Sequence, residues 1–326
     1  MNDRIELFAA LGDRLRGFGA DAASREVIAR ACRANAWFTP EEVVRAVRAL
    51  ADDMLRADVL AEWLRRYPLP ARRPRRVLVA MAGNIPLVGF FDLLCVVASG
   101  HRCLVKPSAK DTVLTEYVVE ALRMLNPRIA LEYYDGSQPV EALIATGSDN
   151  AARYFKARYA DVPMLLRGSR QSVAVLSGRE TPGQLGGLAD DIWAYSGLGC
   201  RNVSLVFVPE AYDLQLTMPA MNEKYRNNYR QMRAVREMTR RPFRDLGGAL
   251  AVEQQVFPAA LCEVAVARYR TTEEVAQWLA EHDGEIQCVV TEMLTHPRRA
   301  GFGQAQSPKL SDYPDGLDVM AWLAGL

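Results

Sequence analysis

Short apolar runs alternate with amphipathic stretches through the middle of the chain. Val77-Leu78-Val79-Ala80-Met81 has the length and β-branched content of a buried strand. The turn Ala82-Gly83-Asn84-Ile85-Pro86 leads into an apolar stretch, residues 87–99, that predicts a helix. Gly100 closes it, as glycine commonly does. Cys103-Leu104-Val105-Lys106 predicts the next strand. A helix over 111–124, a strand over 130–134, a helix over 139–144 and another over 150–159 follow. This alternation predicts a parallel sheet covered on both faces.

Residues 1–65 carry helical periodicity instead. Thr39-Pro40-Glu41-Glu42 combines a capping threonine, proline at the first helical position and glutamate three residues after the cap. Val43, Val47, Leu50, Met54 and Leu55 continue as an apolar stripe. Residues 67–76 (YPLPARRPRR) hold three prolines and four arginines and read as an exposed linker. After Ser177-Gly178 the texture changes, and glycines cluster around a helix that ends near Tyr195. Strands over 205–208, 264–269 and 286–291, a long polar helix over 213–241 and a helix over 271–282 predict a second α/β domain. The expected division is a helical segment, 1–70, packed with a first α/β domain, 71–178, then a second domain, 179–300, and a tail, 301–326.

The composition agrees with two domains. The chain has 326 residues, 50% of them hydrophobic, and a single core stops growing at about 250–300 residues. Forty basic residues against 39 acidic ones leave a net charge of +1. That gives no global reason to expect nucleic acid or an anionic membrane as partner. No apolar run reaches the roughly 18 residues that a membrane span needs. The six cysteines (32, 95, 103, 200, 262 and 288) form no CxxC pair, and no secretory signal is evident. The cytoplasm is therefore the expected compartment. The three histidines are scattered, so no metal site is expected, and no GxSxG elbow supports a serine hydrolase.

Four short segments could carry chemistry. In Gly197-Leu198-Gly199-Cys200-Arg201-Asn202, a cysteine sits between a glycine-rich turn and a strand, where its sulfur can be exposed. Arg201 would favour the thiolate if its side chain faces the sulfur. The alternative is a small buried hydrophobe, as most cysteines are. Asn84, at a strand-to-helix turn, can donate to a developing oxyanion or simply cap the helix. Lys106-Pro107-Ser108 ends a strand at the edge where open α/β sheets bind ligands, or is a solvated strand end. Thr146-Gly147-Ser148 opens a helix whose N–H groups suit a pyrophosphate, or is an ordinary cap.

The order and spacing of GNIP, VKPS, TGS and GxxC before a strand resemble the aldehyde dehydrogenase superfamily across residues 77–291. Within it the chain looks most like the acyl-CoA reductases related to the fatty-acid reductase of bacterial bioluminescence. The segments AGNIPLVGFFDLLCVVASGHRCLVKPSAKD, TGSDNAARYF, SGLGCRNVSLVFVP and FGQAQSPKLSDYPDGLD carry that resemblance. It implies two Rossmann-like domains with parallel sheets, 71–178 nucleotide-binding and 179–300 catalytic. It also implies Cys200 as nucleophile, with Asn84 and the Cys200 N–H as oxyanion donors. Lys106 and Ser108 would hold the adenosine ribose or its phosphate, and Thr146, Gly147 and Ser148 would lie against the dinucleotide.

Departures from the superfamily refine these expectations. The Glu-Leu-Gly-Gly-Lys segment that activates the deacylating water corresponds to Leu166-Arg167-Gly168-Ser169-Arg170, which has no glutamate. Without that base an acyl-enzyme should resist hydrolysis. The glutamate that holds the ribose hydroxyls of NAD is replaced by Ala109, followed by Lys110, which should admit a 2′-phosphate. NADPH is therefore expected, with NADH as the alternative. The glutamate of the second domain falls near Pro258, with Glu253 and Glu263 the neighbouring carboxylates.

The resemblance thus implies reduction of an acyl thioester, on CoA or an acyl carrier protein, to an aldehyde. Rival readings are an aldehyde dehydrogenase that releases acids and a catalytically silent subunit of an acyl-transfer complex. Assembly as a homodimer or in a multienzyme complex stays open. Seven basic residues between 224 and 241 are opposed only by Glu237. On a helix, Arg226, Arg230, Arg233, Arg236, Arg240 and Arg241 would share a stripe about 140° wide. Such a stripe is either a solvated face or a dock, through Arg230 and Arg233, for CoA phosphates or an acidic carrier.

Overall fold

A computed structural model describes residues 2–147 and 149–326. The chain divides into two compact units, Met1–Ser169 with Lys309–Leu326, and Arg170–Pro308.

The first unit begins with four helices, α1 (Asn2–Arg16), α2 (Ala22–Ala34), α3 (Pro40–Ala49) and α4 (Ala57–Leu64). Thr39 starts α3 as its spacing predicts, its hydroxyl accepting the Glu42 N–H at 3.3 Å. Then come β1 (Arg76–Ala80), α5 (Phe90–Ser99), β2 (Arg102–Lys106), α6 (Thr112–Leu125), β3 (Leu131–Tyr133), β4 (Ala142–Thr146), α7 (Asp149–Arg158) and β5 (Met164–Arg167). Gly100 ends α5 with φ 93°, in the left-handed region where a side chain is disfavoured. The five strands are parallel in the order β3-β2-β1-β4-β5, so the strand order reverses about β1.

Alternate residues of each strand enter different cores. Val77, Val79, Val105 and Ile144 pack with α1 to α6, while Leu78, Leu104 and Leu143 pack with Phe155 of α7. The proline- and arginine-rich stretch after α4 joins helices and sheet inside this one unit. A bidentate ion pair ties α5 to β5. Arg167 donates to Asp92 at 2.7 and 2.9 Å, and both side chains are buried. Removing one partner of such a pair costs about 3–5 kcal/mol, because the other is left as a buried charge.

The second unit holds β6 (Gln171–Val175), α8 (Pro182–Trp193), β7 (Val203–Pro209), α9 (Glu223–Met238), β8 (Arg244–Asp245), β9 (Leu250–Glu253), β10 (Glu263–Tyr269), α10 (Thr272–Glu281), β11 (Ile286–Val290) and β12 (Arg299–Ala300). Its sheet runs β12-β11-β6-β7-β10-β9-β8, parallel except for β8 against β9. Thr181 opens α8 with a capping box to Gln184, and Pro182 takes the first helical position. The chain then returns to the first unit with α11 (Val319–Ala324), where His101 Nε2 meets the Leu323 carbonyl at 2.9 Å.

Several elements differ from the sequence expectation. Residues 139–144 do not form a helix, and Ala142–Thr146 is the strand β4. Its four apolar residues are buried on both faces of the sheet, and a run that short has no periodicity to separate strand from helix. The polar helix spans only Glu223–Met238, not 213–241. The second unit begins at residue 170, earlier than 179, because β6 pairs with β7 and β11. The tail divides, residues 301–308 falling in the second unit and 309–326 in the first. Among the described residues no helix is long and apolar enough to cross a membrane.

Candidate active site

Three of the four motifs lie at the carboxyl edge of the first sheet. Ala80, at the end of β1, pairs with Lys106 on one side and Ala145 on the other. The turn with Asn84, the Lys106-Pro107-Ser108 segment and Thr146-Gly147 therefore leave the sheet side by side, where ligands of open α/β sheets bind. Met81 N–H donates to the Lys106 carbonyl at 3.0 Å, tying the first two together. Asn84 is half-buried, whereas Lys106 and Lys110 are exposed. The Gly147 N–H is engaged by the Arg167 carbonyl at 3.2 Å, and Thr146 is half-buried beside Arg167. Ser148 lies outside the described residues.

A cavity of about 390 Å³ opens beside this edge, lined among others by Lys106, Ala109, Thr112, Glu116, Tyr133 and Tyr134. Its size and its mixture of rings with one cation suit the adenosine end of a dinucleotide. Glu116, from α6, puts a carboxylate there that sequence reasoning did not weigh.

Cys200 belongs to the second unit and sits at the amino end of β7, after α8. It is the one exposed cysteine among the described residues. Burial pushes up the thiols of Cys95, Cys103 and Cys262, the last to about 11. Such thiols make poor nucleophiles at neutral pH.

The turn leading to Cys200 is built from unusual backbone. Tyr195, Ser196 and Gly197 are all left-handed, with φ of 52°, 57° and 71°. Non-glycine residues there cost roughly 1–2 kcal/mol each, so neighbours must hold them. Asn202, 4% exposed, does most of this. Its amide nitrogen donates to the carbonyls of Asp191, Ile192 and Ala194 at 3.1, 3.2 and 2.9 Å, closing the end of α8. Its oxygen accepts the Gly199 N–H at 2.8 Å. Asn222 donates to the Ser196 hydroxyl at 2.9 Å, and Ser172 donates to the Cys200 carbonyl at 2.9 Å.

The FGQAQSP segment is fastened to the same place. The buried Asp191 carboxylate accepts the Gly303 and Ala305 N–H groups at 2.7 and 2.9 Å. Arg201 donates to the Ala305 carbonyl at 2.5 Å and reaches Cys288 Sγ at 3.7 Å. Its guanidinium therefore anchors the segment that follows Gly301. Sequence reasoning missed Asn202 and Asp191, although Asn202 stands only two residues after the cysteine.

The arginine stripe is smaller than expected. α9 ends at Met238, which leaves Arg240 and Arg241 off the helix. Arg236 is buried and bonded to Glu263 at 2.5 Å. Arg226 and Arg230 pair with Glu223 at 2.7 and 3.0 Å. Arg233 pairs with Glu237 and Asp245 at 2.9 and 3.1 Å. Glu223 stands on the same helix, outside the 224–241 window, and the fold brings in Asp245 and Glu263. Glu253 is likewise held, by Arg268 at 2.9 Å.

A family profile described as acyl-CoA reductase (LuxC) matches residues 21–231. The chain belongs to that family. This LuxC-family protein has no match among curated proteins. Among solved structures, an oxidoreductase from Marinobacter aquaeolei is 13% identical, with 94% of this chain and 78% of that one covered and a TM-score of 0.66. A Streptococcus pyogenes succinic semialdehyde dehydrogenase, in complex with NADP+, is 12% identical over 89% and 76% of the two chains, with a TM-score of 0.64. A Mycobacterium tuberculosis aldehyde dehydrogenase complexed with NAD+ is 14% identical over 90% and 73%, with a TM-score of 0.60. At such identities the likeness is one of fold, and the aldehyde dehydrogenase-like architecture expected from the sequence is the one observed. Family and fold together make this LuxC-family protein an aldehyde-acting oxidoreductase.

Proposed function

We propose that this protein reduces an acyl thioester, carried by CoA or an acyl carrier protein, to an aldehyde through an acyl-enzyme on Cys200. The observation that carries the reading is the exposure of Cys200 on a braced, strained turn. The Cys200 thiolate attacks the thioester carbonyl carbon. A new C–S bond forms and the carbonyl electron pair moves to oxygen. Asn84 and the Cys200 N–H donate to that oxyanion, a role assigned to both on the resemblance. Collapse expels the carrier thiolate, which takes a proton from solvent, and leaves the acyl group on Cys200.

A nicotinamide, when bound, would supply a hydride to the acyl carbon; the C–S bond to Cys200 then breaks, its electron pair returning to sulfur as the thiolate, and the aldehyde leaves. Lys106 and Ser108 would hold its adenosine end, and Thr146, Gly147 and Ser148 would lie against the dinucleotide, roles the resemblance assigns. NADPH is favoured over NADH because Ala109 and Lys110 stand where a glutamate would repel a 2′-phosphate. Release as acid is disfavoured for a similar reason. The stretch from Leu166 to Arg170 has no carboxylate to activate water, and its Arg167 is locked onto Asp92.

The test is incubation with a fatty acyl-CoA and NADPH, with aldehyde identified as product. Wild type should form aldehyde and Cys200→Ala should form none. Undiminished aldehyde from Cys200→Ala would overturn the role of Cys200.

A further inference from the structure

The buried carboxyl of Asp111 takes no part in the chemistry above. It stands at the start of α6, where a capping side chain would bond its own helix, yet it makes no such bond. Its Oδ2 instead accepts the Leu87 N–H, 2.7 Å away and 24 positions back in the chain. Leu87 leaves the Asn84 turn with φ 54°. A non-glycine residue held there costs roughly 1–2 kcal/mol, and such strain persists only where neighbours enforce it. Asp111 is 4% exposed, and its Oδ1 has no hydrogen-bond partner among the described residues. A half-satisfied buried carboxyl costs stability.

The surroundings show what this carboxyl holds. A Cβ added to Gly83 would come within 2.6 Å of the Ser108 side chain and 3.2 Å of Asp111 Cβ. The turn that carries Asn84 is thus pressed against the Lys106–Lys110 segment at Gly83 and bonded to it at Leu87. We infer that Asp111 is a positioning residue for Asn84, fixing its turn through the Leu87 N–H. The inference rests on the oxyanion role proposed for Asn84.

Protonation should modulate this hold. Burial raises the Asp111 pKa to about 7, opposed by the Leu87 N–H. Among the described residues no charged side chain adds to or offsets this effect of burial. The carboxyl meets the Leu87 N–H from the β1–α5 turn, while the Thr115 hydroxyl of α6 donates to the Asp111 backbone carbonyl at 2.8 Å. Asn35 reaches the neighbouring Lys110 carbonyl at 3.1 Å. The ionised carboxylate is the stronger acceptor, so the turn is held better above about 7 than below it.

The experiment measures two rates on Cys200 of the full chain without cofactor: acylation by dodecanoyl-CoA and alkylation by iodoacetamide. Alkylation reports the thiol and needs no oxyanion donor. Asp111→Ala should slow acylation about 100-fold, as loss of one oxyanion donor does, and leave alkylation unchanged. Asp111→Asn keeps a neutral acceptor for Leu87 at every pH, the equivalent of the protonated acid, and should restore acylation to the level of wild type at about pH 6. Its ratio of acylation to alkylation should stay flat from about pH 6 to about pH 8, where the wild-type ratio rises with the ionised fraction of Asp111. Normal acylation in Asp111→Ala, with Asn84→Ala slow, overturns the inference and leaves the Asn84 reading standing. Normal acylation in Asn84→Ala overturns that reading, and the inference with it. Should Asp111→Ala not fold, a ratio in Asp111→Asn that still climbs through about 7 overturns the inference.

Discussion

The Asn84 turn and the Cys200 turn solve the same problem with different materials. Each joins a helix and a strand, and each contains non-glycine residues in the left-handed region, Leu87 in the first and Tyr195 with Ser196 in the second. The first leaves the carboxyl end of β1 and is bonded at its strained residue by a buried carboxyl, Asp111. The second precedes the amino end of β7 and is held by neutral amides, chiefly Asn202, with Asp191 securing the segment beyond. The groups that hold the more strained turn, Asn202, Asn222 and Ser172, are amides and a hydroxyl, which have no proton that titrates near neutrality. The less strained turn depends on a group that does. Strain at a functional site is tolerable either way, but only the second kind of bracing is insensitive to pH.

The largest effect should come from cutting the amide. Asn202→Ala removes a donor to three buried carbonyls and the acceptor of the Gly199 N–H. Each group left unsatisfied costs about 1–3 kcal/mol, so a loss of roughly 3 kcal/mol or more is expected in denaturant unfolding. The loss should be the same at pH 6 and pH 8, in contrast to the Asp111 turn. A loss below about 1 kcal/mol would break the comparison, since it would mean that the turn holds its shape without Asn202.

How much of this was readable beforehand follows the same division. Patterns that repeat locally were legible. Alternation of strand and helix marked β1, β2 and β3 of the first sheet but not β5, Gly100 marked the end of α5, and glycines around Cys200 marked an exposed turn. β4 was lost because Ala142-Leu143-Ile144-Ala145 is a central strand, buried on both faces, and its pattern fits either element. Asn202 and Asp111 were invisible as braces for another reason. The carbonyls that Asn202 bonds lie 8 to 11 positions away and the N–H that Asp111 bonds lies 24 away, and no spacing rule links a polar side chain to such targets. The arginine stripe was overcounted because Glu263 and Asp245 reach α9 only through the fold.

A smaller effect should sharpen the comparison on the side of the first unit, where charges face a cavity. Glu116 and Lys106 both line it. If the ribose phosphate of NADPH binds there, Glu116 opposes it through solvent, at about 1 kcal/mol for charges 4 Å apart in water. Glu116→Gln should then tighten NADPH about fivefold in a direct binding titration and leave NADH unchanged. Equal changes for the two dinucleotides would remove Glu116 from the neighbourhood of the 2′ position.

The smallest effect concerns the charges of the second unit. Arg230 and Arg233 are exposed, but each already pairs with a carboxylate, Glu223 for the first and Glu237 with Asp245 for the second. Exposed pairs of this kind contribute at most about 1 kcal/mol to stability, and their neutralised charge leaves little field to steer an anionic partner. Charge reversal at both positions should therefore raise KM for an acyl-CoA by no more than about twofold, with kcat unchanged. A tenfold rise in KM, abolished by moderate salt, would restore the face of α9 as a dock for phosphate groups. It would also show that pairing inside the helix leaves more charge available than the geometry suggests, because an incoming polyanion can compete with Glu223 and Glu237 for the same guanidinium groups.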